Sequence, residues 1–138
     1  MANDAQITVT GNTTRDPEVK VFDSGASLVR LGVAVNTRKK NKDSGDWEDG
    51  PPSFFDVVVF GDMGDNAASS LPKGTRVMVT GRMQVRDWEN AEAGTKGRAA
   101  EIIADEIGPS LRWATATIAK TAKKGNGGGA PVEEADYL

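Results

Sequence analysis

The sequence predicts an all-β domain, a small closed barrel of five strands with one short helix, followed by a disordered C-terminal tail. Three observations support this prediction. Apolar residues alternate with polar or charged ones along Arg76–Trp88, which is the period of a β-strand and is long enough for a bent barrel strand. Helical spacing occurs in one segment, after Asp62. From residue 119 onward, glycine and charged residues replace the alternation.

Three strands are predicted before residue 37. Gln6–Thr10 alternates, Val19–Phe22 is short and ends at a turn, and Leu28–Asn36 shows the clearest alternation of the three. Small side chains on the outer face of this third strand would let a ligand approach closely. Its expected core residues are Val29, Leu31, Val33 and Val35, and its outer residues are Arg30, Gly32, Ala34 and Asn36.

A long polar loop and a two-sided apolar strand follow. Thr37–Pro52 is predicted as a loop that contains Trp47, and a loop of this length is either functional or disordered. Ser53–Phe60 is nearly all apolar, so both of its faces are expected to be covered. Its core face carries Phe55, Val57 and Val59, and its other face carries Phe54, Asp56, Val58 and Phe60.

One short helix is predicted between Phe60 and the long strand. Asp62 is expected to cap it, and Pro72–Gly74 is expected to end it. Gly64 weakens such a helix by about 1 kcal/mol relative to alanine. The residues that share its apolar face are Met63, Ala67 and Leu71.

The last strands complete the barrel. The long strand offers a bend at Gly81, a hairpin loop covers Glu89–Gly97, and Arg98–Ile107 returns as a strand. Ser110–Ile118 is predicted as an additional strand. Short strands with one helix between the third and the fourth are typical of the five-stranded OB-fold barrel.

The composition excludes several functions. The sequence contains no Cys and no His, which excludes disulfides and thiolate metal sites and removes the commonest metal ligand and general base. We therefore expect no cofactor and no metal. No apolar run reaches the length of a membrane span, and the residues after Met1 lack the features of a signal peptide. No membrane partner is expected.

The formal charge of −3 belongs to the C-terminal end. Met1–Lys124 holds all 17 basic residues and 17 of the 20 acidic ones, so this part of the chain is neutral. Glu133, Glu134 and Asp136 supply the remaining charge. The net charge therefore neither supports nor opposes a basic groove on the domain, and local clustering decides that question.

Aromatic and basic residues are interleaved on one predicted surface. Arginine beside a flat aromatic ring binds phosphates and stacks on bases. Each part also has an ordinary explanation: Phe54 and Phe60 as core or subunit contacts, the basic loop as a solvated surface, and Trp88 as a side chain covered by a loop or subunit. The candidate nucleic-acid-binding residues are Phe54, Phe60, Trp88, Arg86, Arg82, Arg38, Lys39, Lys40, Lys42, Trp47 and Lys73.

Four segments resemble the bacterial single-stranded DNA-binding protein family. They are Val9–Glu18, Phe55–Gly61, Lys73–Arg82 and Arg86–Trp88, in the family's order and with similar spacing between about Ile7 and Ile107. The resemblance implies an OB-fold that assembles as a homotetramer and wraps single-stranded DNA.

The resemblance also implies roles for individual residues. A stacking Trp of the family corresponds here to Lys39 or a neighbour, and Trp47 is a candidate to replace it from the loop. Gly108–Thr117 resembles an extension that, in one branch of the family, adds a strand that clamps neighbouring subunits. The residues that align with the family's other base-stacking aromatics are Phe54, Phe60 and Trp88.

The C-terminal composition divides the chain into three parts. The OB domain is expected over residues 1–118, including the extra strand at about 110–118, a flexible glycine-rich linker over 119–131, and an acidic tip over 132–138. Family tails usually end in several Asp residues and Pro-Phe. The tip here is expected either to recruit replication and repair proteins or to act as a solubilising tail that competes with DNA. Its residues are Glu133, Glu134, Asp136, Tyr137 and Leu138.

The predicted function is sequence-independent binding and protection of single-stranded DNA during replication, recombination and repair, without catalysis. The alternative is an OB-fold replication adaptor that acts mainly through protein contacts. The expected location is the cytoplasm, at the nucleoid, or the host cytoplasm if a virus encodes the protein. A Mg²⁺-dependent enzyme would need converging carboxylates, and the available groups, which form no convincing site, are Asp43, Asp46, Glu48 and Asp49, or Asp105 with Glu106.

Overall fold

Most of the described chain is β-structure. The computed structural model describes residues 5–121. Its elements, in chain order, are β1 (Ala5–Thr13), β2 (Glu18–Val21), β3 (Ser27–Val35), β4 (Arg38–Lys40), β5 (Trp47–Asp49), β6 (Ser53–Phe60), α1 (Gly61–Ser70), β7 (Arg76–Asn90) and β8 (Thr95–Pro109).

Five of these strands close into a barrel. β1, β7, β8, β6 and β3 pair in this order, and β1 also pairs with β3, which joins the two edges of the sheet. β6 and β8 run parallel, whereas the other four ladders of the barrel are antiparallel. β2 extends the sheet beyond β3, and β4 and β5 form a separate hairpin. The predicted all-β OB-fold barrel with one helix is confirmed.

Alternating apolar residues of the barrel strands form the core. Each strand turns every second side chain inward, so the predicted core faces of β3 and β6 are confirmed where they are buried. α1 packs onto the same core through Ala67, and Leu71 follows directly after it. The buried strand residues of this core include Val29, Leu31, Val33, Val57, Val59, Val77, Val79 and Ile102.

The ladder between β7 and β8 is irregular at Gly81, where the sequence predicts a bend in the long strand. The register between β7 and β8 shifts between Thr80 and Gly81, and the extra residue is Asp105 on β8. Gly81 is buried, and a Cβ atom there would collide with the carbonyl oxygen of Ile103. The glycine therefore permits the close approach of two backbones inside the barrel wall.

The start of α1 differs from the prediction. Phe60 is the N-cap residue and Asp62 lies in the first turn, and among the described residues no side chain caps this end with a hydrogen bond. The prediction that Asp62 caps the helix is wrong because the helix begins at Gly61, whereas a helix capped by Asp62 would begin two residues later. Gly64 is buried with its Cβ position 2.5 Å from the carbonyl oxygen of Val59, so it allows α1 to pack closely on β6.

The predicted loop over Thr37–Pro52 contains a hairpin. β4 pairs with β5, and the turn between them is organised by Asn41, whose side-chain oxygen accepts hydrogen bonds from the N–H groups of Asp43 and Ser44 at 2.8 and 3.2 Å. Strands of three residues are too short for alternation to reveal them.

Two boundaries near the end of the domain also differ. β7 and β8 are joined by a turn of four residues, so the predicted loop Glu89–Gly97 is shorter than expected. The backbone N–H of Ser110 still donates to the carbonyl oxygen of Arg76 at 2.8 Å, but within the described chain no strand forms over Ser110–Ile118. The chain after Ser110 cannot continue the ladder with β7, because β7 begins at Arg76 and provides no further residues to pair with.

The predicted linker and acidic tip lie outside the described residues, apart from residues 119–121, which extend the chain without regular secondary structure. Over the part of the chain that the structure covers, no helix combines the length and the apolar character needed to cross a membrane.

Candidate nucleic-acid interface

One outward surface of the barrel spans β7, β8, β6 and β3, and we call it the outward face. Residues paired across neighbouring strands point to the same side, so the registers define rows on this face. On β6 the face extends from Phe54 to Phe60. One row consists of Arg82, Ile103, Val58 and Arg30, and the next consists of Gln84, Glu101, Asp56 and Gly32.

Phe60 lies at one end of the outward face, on a small apolar cluster. Leu28, Val58 and Ile103 are buried there, and Phe60 and Phe22 pack against them while remaining partly exposed. This cluster covers the outer face of β6 at Val58 and Phe60, whereas the prediction that both faces of Ser53–Phe60 are covered is wrong at the exposed Phe54. Phe60 therefore supports the sheet with one part of its ring and presents the remainder outward.

Phe54 lies at the other end of the outward face and is much more exposed. It pairs with Ala34 on β3, and 70% of its surface is accessible. A large apolar ring left in water gains nothing for folding, which favours a role in binding. The two phenylalanines are six residues apart on one strand, which corresponds to roughly 20 Å.

Trp88 lies on β7 two residues beyond Arg86 and pairs with Gly97 on β8. Its register therefore continues the rows of the outward face. Its side chain is outside the part of the chain that the structure describes, so its predicted stacking role stays a prediction.

The arginines of the outward face lie beside carboxylates. Arg86 Nη2 is 3.1 Å from Oε1 of Glu101, and Arg82 Nε is 4.0 Å from Oδ1 of Asp105. The Glu101 side chain is only 2% exposed, although its register places it on the outward face. The structure thus brings Arg82 and Arg86 to the predicted surface, with part of their charge offset by the protein itself.

Sequence reasoning missed Arg15 as a component of this face. Its Nη2 is 3.7 Å from Oδ1 of Asp56, and a Cβ atom on Gly32 would meet its Nη1 at 2.6 Å. Gly32 therefore leaves room for Arg15 of the same chain, and the prediction that small residues here admit a ligand needs this correction. No signal in the local pattern identified Arg15, because barrel closure brings it over β3.

Lys20 was also missed. Its Nζ lies 5.4 Å from the centroid of the Phe22 ring, next to the apolar cluster that supports Phe60. Its register opposite Leu28 places it on the edge of the outward face. Alternation along Leu28–Asn36 predicted Arg30 on this face, and applying the same alternation to β2 would have placed Lys20 beside it.

The β4–β5 hairpin carries the predicted basic cluster. β4 follows β3 and β5 precedes β6, so the hairpin extends the end of the barrel at which Phe54 lies. Lys40 pairs with Trp47, which is 63% exposed, whereas Lys39 pairs with Glu48 on the opposite face of the hairpin. The hairpin and its turn are neutral as a whole, because Arg38, Lys39, Lys40 and Lys42 are balanced by Asp43, Asp46, Glu48 and Asp49.

Lys73 lies in the turn after α1, away from the hairpin along the chain. Its backbone N–H donates to Oδ1 of Asp16 at 2.9 Å, which brings this turn to the residue next to Arg15. The exposed Lys73 side chain is thus a candidate for the margin of the interface. Between residues 5 and 121, no three carboxylates gather in a metal-binding arrangement.

Barrel topology and surface chemistry together define a class of protein. A closed OB barrel whose outward face carries an exposed phenylalanine and several arginines has the components of a stacking platform for unpaired bases. The model of the Single-strand binding protein family matches residues 4–110. The chain belongs to this family.

Bacterial single-stranded DNA-binding proteins are similar to this chain over most of its length. It is 44% identical over 125 residues to the single-stranded DNA-binding protein of Mycobacterium leprae, a match that covers 91% of this chain and 74% of the relative. It is also 44% identical to that of Mycolicibacterium smegmatis, over 91% of this chain and 75% of the relative.

Solved structures show the same fold. The crystal structure of a small single-stranded DNA-binding protein from Streptomyces coelicolor superposes with a TM-score of 0.68 and 31% identity, over 79% of this chain and 96% of that chain. A Plasmodium falciparum SSB complex with ssDNA gives a TM-score of 0.65, over 76% of this chain and 93% of that chain. At 19% identity this second likeness concerns the fold alone.

Proposed function

We propose that this protein binds and protects single-stranded DNA without sequence preference during replication, recombination and repair. The observation that carries the proposal is the exposed Phe54 on the same face as Arg82 and Arg86. Base stacking on an aromatic side chain contributes roughly 1–3 kcal/mol per base, a range that was measured on this class of OB-fold, among others, and it tolerates every base. Membership of the single-strand binding protein family supports the same function.

We assign two kinds of contact to the interface. Aromatic residues stack on bases, and cations neutralise phosphates and release counterions. Trp47 is included because it is exposed beside Lys40. The proposed stacking residues are Phe54, Phe60, Trp88 and Trp47, and the proposed phosphate contacts are Arg86, Arg82, Arg38, Lys39, Lys40, Lys42 and Lys73.

Titration of the intrinsic tryptophan fluorescence with oligo(dT) tests this function. Stacking of bases on tryptophan quenches its emission, and duplex DNA, whose bases are already stacked, is expected to bind far more weakly at the same ionic strength. Weak, strongly salt-sensitive binding without quenching would instead support the OB-fold replication adaptor. The ion pairs of the outward face are the observation that favours this second candidate, since they reduce its attraction for phosphate.

We propose that the protein acts as a homotetramer. Leu111, Trp113 and Ile118 are 65%, 74% and 85% exposed in the single chain, and they lie in the segment predicted to clamp a neighbouring subunit. Large apolar side chains exposed within one short segment favour burial against another copy. Light scattering at micromolar concentration is expected to give four times the chain mass, and a monomer at that concentration would contradict the proposal.

We propose that the acidic tip recruits replication and repair proteins. Three carboxylates and an apolar end on a glycine tether suit a basic pocket with a hydrophobic centre. Deletion of Glu133–Leu138 is expected to abolish capture of such partners while leaving oligo(dT) affinity equal or higher. A collapse of DNA binding in this variant would show that the tip belongs to the interface instead.

The protein acts by binding alone, with no catalytic step, and no cofactor takes part. It works where its DNA lies, at the nucleoid in the cytoplasm, or in the host cytoplasm if a virus encodes it. A nuclease assay with oligo(dT) and Mg²⁺ tests the absence of a catalytic step, since shortening of the oligonucleotide would contradict it. Fluorescence microscopy of a tagged chain tests the proposed location at the nucleoid.

A further inference from the structure

Two carboxylates lie in the middle of the outward face. Glu101 on β8 is the register partner of Asp56 on β6 and of Gln84 on β7, so both acids occupy one row between Phe54 and Phe60. Like charges directly opposite each other destabilise a sheet. This arrangement needs a compensating interaction, and the structure supplies one for each acid.

An arginine pairs with each of these acids. Arg86 Nη2 lies 3.1 Å from Oε1 of Glu101, and Arg15 Nη2 lies 3.7 Å from Oδ1 of Asp56. The two pairs differ in burial. Glu101 is 2% exposed beneath a partly exposed Arg86, whereas Asp56 and Arg15 are both about half exposed.

The pairs weaken the attraction of this face for phosphate. A phosphate oxygen would compete with the carboxylate for the same guanidinium donors, and it would approach a second negative charge to do so. Screening by water and salt reduces this effect least for a buried charge, and Glu101 is the more buried of the two acids. Stacking on Phe54 is unaffected, because it does not depend on charge.

We propose that Glu101, assisted by Asp56, limits the affinity of the outward face for the DNA backbone, so that binding depends more on stacking and less on salt. This inference rests on the proposed function. It makes Glu101 a positioning residue that acts through Arg86, and it gives the carboxylate a role beyond holding β7 and β8 together. Single-stranded DNA bound with this lower affinity dissociates more readily when another protein competes for it.

The test is the salt dependence of oligo(dT) binding by the full chain with Glu101→Gln. This substitution keeps the shape of the side chain and removes its charge. If Arg86 then gains one full phosphate contact, the slope of log K against log salt steepens by about 0.7, which at about 0.05 M salt corresponds to roughly eightfold tighter binding. Near 1 M salt the variant and the parent are expected to bind equally.

Asp87→Asn is the matched control. Asp87 is next to Arg86 on β7 but points to the other face, and it forms a 3.0 Å ion pair with Arg98 in which both side chains are 77% exposed. Asp87→Asn changes the net charge by the same amount as Glu101→Gln, and we expect it to leave the slope of log K against log salt unchanged. An equal change in both variants would overturn the inference, because it would reflect net charge rather than the outward face.

Asp56→Asn keeps the proposal testable if Glu101→Gln does not fold. Its side chain is exposed, so folding should tolerate the change, and the slope is expected to move in the same direction by a smaller amount. Parent-like or shallower slopes in the folded variants would refute the role of these acids. A parent that fails to bind oligo(dT) would refute the proposed function itself, which separates the two failures.

Discussion

Replacing Phe54 with alanine is expected to weaken oligo(dT) binding by roughly 1–3 kcal/mol, or about 5- to 150-fold. The ring is 70% exposed on the outward face, so its loss removes a stacking surface without opening a cavity in the core. Stacking releases no counterions, and the slope of affinity against salt should therefore remain that of the parent. Fluorescence titrations at several salt concentrations measure both quantities.

Val85→Ala is the matched control for Phe54→Ala. Val85 is 62% exposed on β7, directly before Arg86, and points away from the outward face. We expect it to bind oligo(dT) like the parent. If Phe54→Ala also binds like the parent, the outward face is not a stacking surface and the adaptor function becomes the better explanation.

Replacing Gly81 with alanine is expected to lower the free energy of unfolding by about 1–3 kcal/mol. The surroundings can relax little, because the atoms that the new Cβ would meet belong to the backbone. The new Cβ atom would collide with the carbonyl oxygen of Ile103 and would lie 2.9 Å from its carbonyl carbon and 3.0 Å from Cα of Ala104. The two paired strands would have to separate at the bulge. The midpoint of urea denaturation reports the loss.

Gly108→Ala provides the comparison for this stability effect. Gly108 lies on β8, opposite Met78, and among the described atoms none comes within 4 Å of its Cβ position. We expect a change within about 0.5 kcal/mol there, as for a substitution that meets no obstacle. Equal midpoints for the Gly81 and Gly108 variants would show that the close approach at Gly81 relaxes without cost.

The elements that could be predicted from sequence are those whose two faces differ or whose length exceeds a few residues. Arg76–Trp88 alternates clearly, and β7 includes it entirely. β4 and β5 have three residues each and depend on the Asn41 turn, so alternation predicted only a loop in this segment. Ser110–Ile118 has a strand-like pattern, but pattern alone does not provide a neighbouring edge.

The sequence predicted several aromatic and basic residues of the candidate site, but not the ion pairs that its arginines form with carboxylates. Alternation placed Phe54, Phe60, Arg82 and Arg86 on outer faces, and the registers confirm that these faces adjoin. The partnership of Arg86 with Glu101 depends on the register of β7 and β8 and on the shift at Gly81. Such long-range geometry has no local signal in the sequence.

The apolar cluster beneath Phe60 has a consequence for the entropy of binding. Leu28, Val58 and Ile103 are buried on the outer side of three strands whose inner side is buried in the barrel core. Local opening of these strands would expose both layers at once, so this part of the barrel is expected to open last. The protein side of the interface is therefore ordered before a ligand arrives, and the loss of conformational freedom on association is expected to fall mainly on the nucleic acid.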